Sequence, residues 1–203
     1  MIIAVDGPAA SGKGTLARRL AAHFKIDHLD TGSLYRCVAL GVLRAGRDPN
    51  NESDAITAAH DVRSLDLSDP DLRDEKVGNA ASTVAQFPAV RQILLDYQRQ
   101  VAAAGAVLDG RDIGTVVCPD ADHKFYVTAS LEIRAERRIA ELLDRGVAVS
   151  PDEIREEMAV RDRLDRERAT SPLILASDAH LLDTTNLDID SAFSYALTLI
   201  EQN

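Results

Sequence analysis

The stretch Gly7-Pro8-Ala9-Ala10-Ser11-Gly12-Lys13-Gly14-Thr15 begins one residue beyond the apolar run 1–5. Its glycines let the backbone fold tightly, so that successive N–H groups can point at one anion. Lys13 can then reach the outer phosphates of a nucleotide, and a helix that starts beside it turns its positive end toward them. Gly14 stands where the common form of this motif has Ser or Thr, and the hydroxyl follows at Thr15. The stretch therefore predicts a phosphate-binding loop between a strand and a helix.

Apolar segments that alternate with helical patterns predict an α/β fold. We expect five buried strands, at residues 2–5, 26–29, 106–108, 124–127 and 180–182. We expect helices at about 13–24, 33–45, 88–103, 130–145 and 189–200. Strands that alternate with helices form a parallel sheet with helices on both faces. Ligands of such sheets bind beyond the carboxyl ends of the strands, where we expect the phosphate loop and the segments 30–36 and 109–112.

Two polar regions fall outside this alternation. Residues 47–77 are rich in Asp and show only a weak apolar alternation, so we expect a small appended element there. Residues 146–171 are highly charged. Within them Ser150 and Glu153 form a capping-box pattern around Pro151, which predicts that a helix begins at Pro151.

Composition argues against several classes of protein. The chain of 203 residues has a net charge of −10, only 4% aromatic residues and no Trp. A protein that binds nucleic acid along its surface is normally basic, and one that binds single strands stacks bases on aromatic side chains. We therefore expect no nucleic-acid partner. Because no apolar run approaches the ~20 residues that span a bilayer, we expect no membrane partner either.

The cysteines and the first residues bear on the compartment. Cys37 and Cys118 form neither a metal-binding motif nor a disulfide framework, so both are expected to be reduced thiols. The first residues show no basic lead-in and no cleavage site, and Met1 opens the first predicted strand. We expect a cytoplasmic protein. We also expect a monomer, since no apolar interface stripe is evident.

Charged side chains cluster near the expected strand ends and on the charged helix. On a helix Arg161, Asp165 and Arg168 would share one face. Such a face is either solvated or, in a phosphate-binding protein, supplies mobile cations to a phosphoryl group. Arg36 either forms bidentate hydrogen bonds with a phosphate or lies near the start of a helix without a binding role. Arg111 either binds an anion or forms a structural ion pair with an aspartate of its own loop.

Three further residues have chemistry that suits a nucleotide site. Asp109 closes the third predicted strand, where a carboxylate can hold magnesium-bound water. Ser82 and Arg91 carry a hydroxyl and a guanidinium on two neighbouring helical segments. From residue chemistry alone, their role stays open between structure and binding.

These segments together resemble the cytidylate kinase family, bacterial nucleoside-monophosphate kinases that phosphorylate CMP and dCMP from ATP. The motifs that carry the resemblance are G-P-x-x-S-G-K-G-T, D-T-G-S-L-Y-R, N-A-A-S with F-P-x-V-R, D-G-R-D-I-G-T-V-V and R-D-x-x-D-R-x-R. They run nearly from end to end of the chain. The resemblance implies one P-loop kinase domain over 1–203, with its core at 1–32, 105–132 and 172–203, a monophosphate-binding region at about 33–104 and a lid at about 146–171.

The resemblance also implies roles for individual residues. The residues implied to bind ATP are 7–15 of the phosphate loop, with Arg134 and Arg138 as lid arginines. Mg²⁺ would be held by Thr15 and Asp109, the latter through water. For CMP they are Arg36, Arg111 and Arg168 at the phosphate, Arg161 and Asp165 at the ribose, and Ser82, Arg91 and Asp112 at the cytosine, with Thr31 and Tyr35 nearby. The implied catalytic residues are Lys13, Arg111, Arg161 and Arg168.

Asp112 gives the implied substrate preference a chemical reason. A carboxylate can accept a hydrogen bond from the amino group of cytosine. UMP has a carbonyl oxygen at that position, which would leave the carboxylate facing a lone pair. An unpaired buried polar group costs about 1–3 kcal/mol, so we expect a roughly tenfold to hundredfold preference for CMP.

One departure and three alternatives accompany this interpretation. The stretch 63–75 is short and polar, with room for little beyond one hairpin where the family carries a longer insertion, so closure and the choice between ribose and deoxyribose are open. Kinases of UMP, AMP, shikimate or dephospho-coenzyme A would share the fold. A GTP-binding switch would carry an Asn-Lys-x-Asp motif, which the sequence lacks. A nucleotide-dependent nucleic-acid remodeller fits poorly with the acidic charge.

Overall fold

The chain folds as two compact units. The computed structural model describes residues 1–61 and 66–202. The first unit comprises Met1–His28 with Gly105–Asn203, and the second comprises Leu29–Ala104.

A five-stranded sheet carries the loops that matter for binding. Its strands are β1 (Ile2–Asp6), β2 (Asp27–Asp30), β3 (Ala106–Gly110), β4 (His123–Thr128) and β5 (His180–Asp183), in the order β2-β3-β1-β4-β5. β1 pairs in parallel with both β3 and β4, and β4 pairs in parallel with β5. The predicted α/β fold with a five-stranded parallel sheet is confirmed.

The core of the first unit forms where the sheet meets helices α1 (Lys13–Phe24) and α8 (Ile189–Glu201). Its fully buried side chains include Ile3, Val5, Leu20, Phe125 and Leu182. Asp6 pairs with Gly110 at the carboxyl ends of β1 and β3, so the loops that follow these strands leave the sheet side by side. The apolar strands thereby fix where the polar loops begin.

The second unit is helical in its described residues. It contains α2 (Thr31–Arg44), α3 (Glu52–His60), α4 (Glu75–Val84) and α5 (Pro88–Ala103), with a 3₁₀ helix at Pro70–Arg73. α2 packs against α3 and α4, and α3 packs against α5. These contacts place α2 and α4, which carry several predicted binding residues, side by side.

The polar region 47–77 holds more helix than expected. The Asn51 side chain caps α3 by accepting a hydrogen bond from the backbone N–H of Asp54. Ala55 and Ala59, one turn apart, are the residues that α3 buries. Two small alanines give a weak apolar period, which is why the sequence pattern missed this helix.

The second half of that region also differs from expectation. The apolar alternation at 62–67 lies largely outside the described residues. The stretch 63–75 is described from Asp66 onward, and there it forms the 3₁₀ helix Pro70–Arg73 in place of a hairpin. The Asp69 carboxylate accepts a hydrogen bond from the backbone N–H two residues on, and a proline follows it, which together favour a helical turn.

The charged part of the first unit is a pair of helices, α6 (Leu131–Asp144) and α7 (Pro151–Glu167). They share a small apolar core of Ala135, Leu142, Ile154 and Met158. α7 begins at Pro151 as predicted, with Ser150 as its N-cap residue, but the Ser150 side chain makes no capping hydrogen bond. None of the described helices combines the length and apolar character needed to cross a membrane.

Candidate active site

The predicted phosphate loop has a backbone that requires its glycines. Gly7 has φ 153° and Gly12 has φ 89°, and Ala10 also has a positive φ of 57°. A Cβ at Gly7 would lie 2.0 Å from the carbonyl oxygen of Val127, so a larger residue does not fit. Gly12 is the N-cap of α1, and the first turn of α1 contains no acidic residue. The positive end of that helix therefore stays available to an anion.

One buried hydroxyl of the loop is placed to donate a hydrogen bond to a bound anion. Ser11 Oγ is fully buried and has no hydrogen-bond partner among the described residues. The back of the loop is tied down, because Thr184 Oγ1 donates to the Ser11 carbonyl (2.9 Å) and Arg137 donates to Thr184 Oγ1 (3.0 Å). A buried hydroxyl without a partner is unfavourable. A bound phosphate would supply the missing partner.

Lys13, the first residue of α1, lies beside one residue predicted to hold Mg²⁺. Lys13 Nζ is 3.9 Å from Asp109 Oδ2, and His28 Nε2 is 2.7 Å from Asp109 Oδ1. Thr15 Oγ1 accepts a hydrogen bond from Arg18 (3.3 Å). Within residues 1–61 and 66–202, no group of three or more His, Cys, Asp or Glu side chains could hold a metal ion. A single carboxylate and a hydroxyl suit Mg²⁺, which keeps several waters and binds substrate phosphates.

A cluster of four charged side chains forms where the loop after β3 meets the end of α7. Arg111 Nε donates to Asp165 Oδ2 (2.7 Å), so it pairs with a carboxylate on α7. Arg168 Nη2 is 3.8 Å from Asp112 Oδ1, and Arg168 Nη1 is 4.0 Å from Asp165 Oδ1. Burial alone would raise the pKa of Asp165, but Arg111, Arg161 and Arg168 outweigh it and lower that pKa. We call Arg111, Asp112, Asp165 and Arg168 the Arg111 cluster.

Of the three residues predicted to share one face of α7, Arg168 lies just beyond the end of the helix. Arg161 and Asp165 are one turn apart on the helix, but the helix ends at Glu167. Arg168 is the C-cap residue, with φ −59° and ψ 138°, and its Nε donates to the carbonyl of Ser171. Its guanidinium nevertheless lies beside Asp165, as the prediction of a shared face requires.

The two arginines predicted to face ATP have different surroundings. Arg134 is only 3% exposed, and its guanidinium donates to both carboxylate oxygens of Asp162 on α7 (2.6 and 3.1 Å) and to the carbonyl of Ala9 in the phosphate loop (3.4 Å). Arg138 pairs with Glu141 (2.9 Å). Arg134 thus joins α6, α7 and the phosphate loop. Contact of either arginine with ATP stays a prediction.

The Asp162→Ala variant is expected to lower the free energy of unfolding by about 3 kcal/mol, because it leaves the Arg134 charge buried without its carboxylate. Urea denaturation followed by circular dichroism measures the change. The matched control is Asp152→Ala, which removes an exposed carboxylate from the first turn of the same helix. A loss no larger than that of the control would contradict a stabilising role for the pair.

The second unit carries five of the residues predicted for CMP, namely Thr31, Tyr35, Arg36, Ser82 and Arg91. The Arg91 guanidinium carbon is 5.5 Å from the centroid of the Tyr35 ring, so the two predicted residues are in contact. Arg36 donates to a carbonyl of the 3₁₀ helix (2.8 Å), and Gly78 on α4 leaves room for its guanidinium. Ser82 Oγ donates to the Gly78 carbonyl (3.3 Å). The unit therefore brings a cation, a ring and a hydroxyl onto neighbouring helices.

Comparisons with known proteins show the family of the chain. The family model described as cytidylate kinase matches residues 3–202. The chain belongs to the cytidylate kinase family. A cytidylate kinase of Granulibacter bethesdensis is 56% identical over 203 residues, which cover 100% of this chain and 97% of that protein. One of Methylocella silvestris is 53% identical, over 99% of this chain and 94% of that protein.

Family membership confirms the resemblance seen in the sequence. The two cytidylate kinases are matched over nearly their whole lengths, so they carry no long insertion that is missing at 63–75. A solved structure of an uncharacterized protein from Eubacterium ventriosum has 14% identity and a TM-score of 0.59, and covers 100% of this chain and 99% of that one. That likeness bears on the fold alone.

Sequence reasoning missed three side chains that form contacts around the candidate site. His28 contacts Asp109, and Arg137 contacts the residue that ties down the phosphate loop. Asp6 is buried at the end of β1, and burial raises its pKa to about 6, although hydrogen bonds from the Gly114 and Ile113 amides oppose the rise. Each contact joins residues far apart in sequence, so only the position of Asp6 beside the glycine loop could have drawn attention to it.

Proposed function

We propose that this member of the cytidylate kinase family transfers the γ-phosphoryl group of Mg-ATP in line to the phosphate of CMP or dCMP, giving ADP and CDP or dCDP. Family membership supports the activity. The observation that carries the residue roles is the Arg111 cluster after β3, beside the phosphate loop after β1. Donor-binding and acceptor-binding groups thereby leave adjacent strands of one sheet.

In this proposal the phosphate loop and Lys13 bind the phosphates of ATP. The amides at the start of α1 and the buried Ser11 hydroxyl supply hydrogen-bond donors, and Lys13 supplies charge. Thr15, and Asp109 through water, hold Mg²⁺. When bound, Mg²⁺ neutralises part of the charge on the β- and γ-phosphates.

The residues for CMP divide by chemistry. The guanidinium groups of Arg36, Arg111 and Arg168 contact its phosphate. Arg161 and Asp165 contact its ribose. Ser82, Arg91 and Asp112 contact cytosine, with Thr31 and Tyr35 beside them. Arg134 and Arg138 stand on the ATP side.

The reaction needs positioning more than it needs a base. The acceptor phosphate is already an anion at neutral pH, so no side chain has to remove a proton from a weak acid. The barrier comes largely from repulsion between two anions and from charge that develops on the transferred group. Lys13, Arg111, Arg161 and Arg168 offset both, which is why we propose them as the catalytic residues.

The proposal extends to the oligomeric state, the compartment and the domain boundaries of the protein. We propose a monomer in the cytoplasm, where buried thiols such as Cys37 and Cys118 stay reduced. We propose one kinase domain with its core at 1–32, 105–132 and 172–203, a monophosphate-binding region at 33–104 and a lid at 146–171. Size-exclusion chromatography with light scattering measures the molar mass in solution and so tests whether the protein is a monomer.

The decisive experiment measures ADP formation from Mg-ATP with CMP, dCMP, UMP and AMP, for the wild type and Asp112→Ala. We expect strong turnover of CMP and dCMP, and a roughly tenfold to hundredfold preference over UMP that shrinks in the variant. The control is Asp120→Ala, an exposed carboxylate in the connection to β4. Faster turnover of another acceptor would overturn the base assignment. Slow hydrolysis that ignores every acceptor would favour a nucleotide switch.

A further inference from the structure

Asp6 is a buried carboxylate that has no role in the proposed mechanism. It is the last residue of β1, directly before the phosphate loop, and it is 5% exposed. A buried carboxylate is costly unless hydrogen bonds satisfy it. Its partners therefore indicate what it does.

Both oxygens of Asp6 bind backbone amides of the loop after β3. The N–H of Ile113 donates to Oδ1 and the N–H of Gly114 donates to Oδ2, each at 2.8 Å. These amides open the π-helical turn Ile113–Val117, where amides have no partner inside the helix. Asp6 thus caps this turn from a neighbouring strand, and two contacts fix the orientation of the turn.

Because Asp6 binds these amides, the Asp112 side chain does not have to bind them. Asp112 is the N-cap residue of the turn, yet its side chain makes no capping hydrogen bond. An aspartate at an N-cap usually accepts from the amides that follow it. Here Asp6 binds those amides, and the Asp112 carboxylate lies 3.8 Å from Arg168 instead. The side chain proposed to bind cytosine therefore does not cap the turn that follows it.

Gly114 shows how closely the two loops approach. A Cβ at this residue would lie 3.4 Å from Asp6 Oδ2 and 3.2 Å from Cδ of Lys124. The contact with Asp6 is an ordinary van der Waals distance and the contact with Lys124 is tight, so a Cβ would require the flexible Lys124 side chain to shift slightly, and a larger side chain would be crowded between the two residues. The turn therefore approaches Asp6 and Lys124 closely at a residue without a side chain.

We propose that Asp6 is a positioning residue for the acceptor nucleotide: by capping the turn after Asp112, it holds Arg111 and Asp112 in the directions that bind CMP. This inference rests on the proposed function of those two residues. Since Asp6 also precedes Gly7, one carboxylate couples the start of the ATP loop to the acceptor loop.

The test compares the kinetics of Asp6→Asn with those of the wild type. The carboxamide keeps the shape, but its NH₂ group cannot accept from a backbone N–H, so one of the two contacts is lost. We expect KM for CMP to rise about tenfold and the preference for CMP over UMP to narrow, while KM for ATP stays within about twofold. The matched control is Asp122→Asn, because Asp122 accepts the backbone N–H of Ile2 at the other end of β1 (2.6 Å).

The possible outcomes separate this inference from the proposed function. A merely structural role would lower kcat through loss of active protein and leave both KM values and the base preference unchanged, which would overturn the inference. Absence of CMP turnover in the wild type would overturn the proposed function instead. If Asp6→Asn does not fold, Gly114→Val replaces it, since the branched valine side chain would crowd the contact between Asp6 and the turn. An unchanged KM for CMP in that variant would also overturn the inference.

Discussion

Replacement of Lys13 by Met is expected to lower kcat about 10³-fold, because it removes the cation proposed to stabilise charge on the transferred phosphoryl group. Stability should change little. Lys13 Nζ lies 3.9 Å from the buried Asp109 carboxylate, and His28 Nε2 contacts the same carboxylate at 2.7 Å, so Asp109 keeps a partner when the lysine is removed. Initial-rate kinetics with Mg-ATP and CMP, together with thermal unfolding, separate the two effects.

The matched control for Lys13→Met is Lys25→Met. Lys25 follows the last turn of α1 and is exposed, so the same chemical change is made at the opposite end of the same helix. We expect its turnover to match that of the wild type. If Lys13→Met retained a tenth or more of wild-type turnover, the lysine would not be the phosphate-binding cation.

Arg111→Lys is expected to lower kcat/KM for CMP about 10²-fold although the charge is kept. Arginine presents several N–H groups in a plane, so one edge can bind a phosphate while Nε remains bonded to Asp165 (2.7 Å). A lysine ammonium is a point charge and cannot reproduce both contacts. Initial rates are measured while the ATP and CMP concentrations are varied independently. We expect kcat/KM for CMP to fall and KM for ATP to stay unchanged.

Arg163→Lys serves as the control for this change. Arg163 lies on α7 near the Arg111 cluster in sequence, but its side chain is exposed. We expect its kinetics to match the wild type. Equal losses in both variants would point to a general effect of replacing arginine, and a fully active Arg111→Lys would show that charge alone suffices at this position.

The sequence predicted the elements of the first unit well. The starts of α1 at Lys13 and of α7 at Pro151 were both predicted, as were the five strands. These features depend on local signals: a glycine loop before a helix, a proline at the first helical position, and short apolar runs. α3 was missed because its buried face consists of small alanines, which give little hydrophobic contrast.

The resemblance named residues for the candidate site but none of the contacts between them. The resemblance named Arg111, Asp165 and Arg168 without indicating that Arg111 pairs with Asp165. It placed Arg134 at ATP, and the structure shows it bonded to Asp162. The sequence also assigned no function to Asp6.

The sequence by itself determined the phosphate loop, the order of strands and helices, and the family of the chain, because local backbone preferences and contiguous motifs encode them. The tertiary structure alone decided which charges meet. Asp6 and Ile113 are 107 residues apart, His28 and Asp109 are 81 apart, and Arg111 and Asp165 are 54 apart. Such pairs form only when the parallel strands bring their carboxyl ends to one edge of the sheet and α7 folds back over it. Burial at that edge then makes each charge require a partner, which no local pattern specifies.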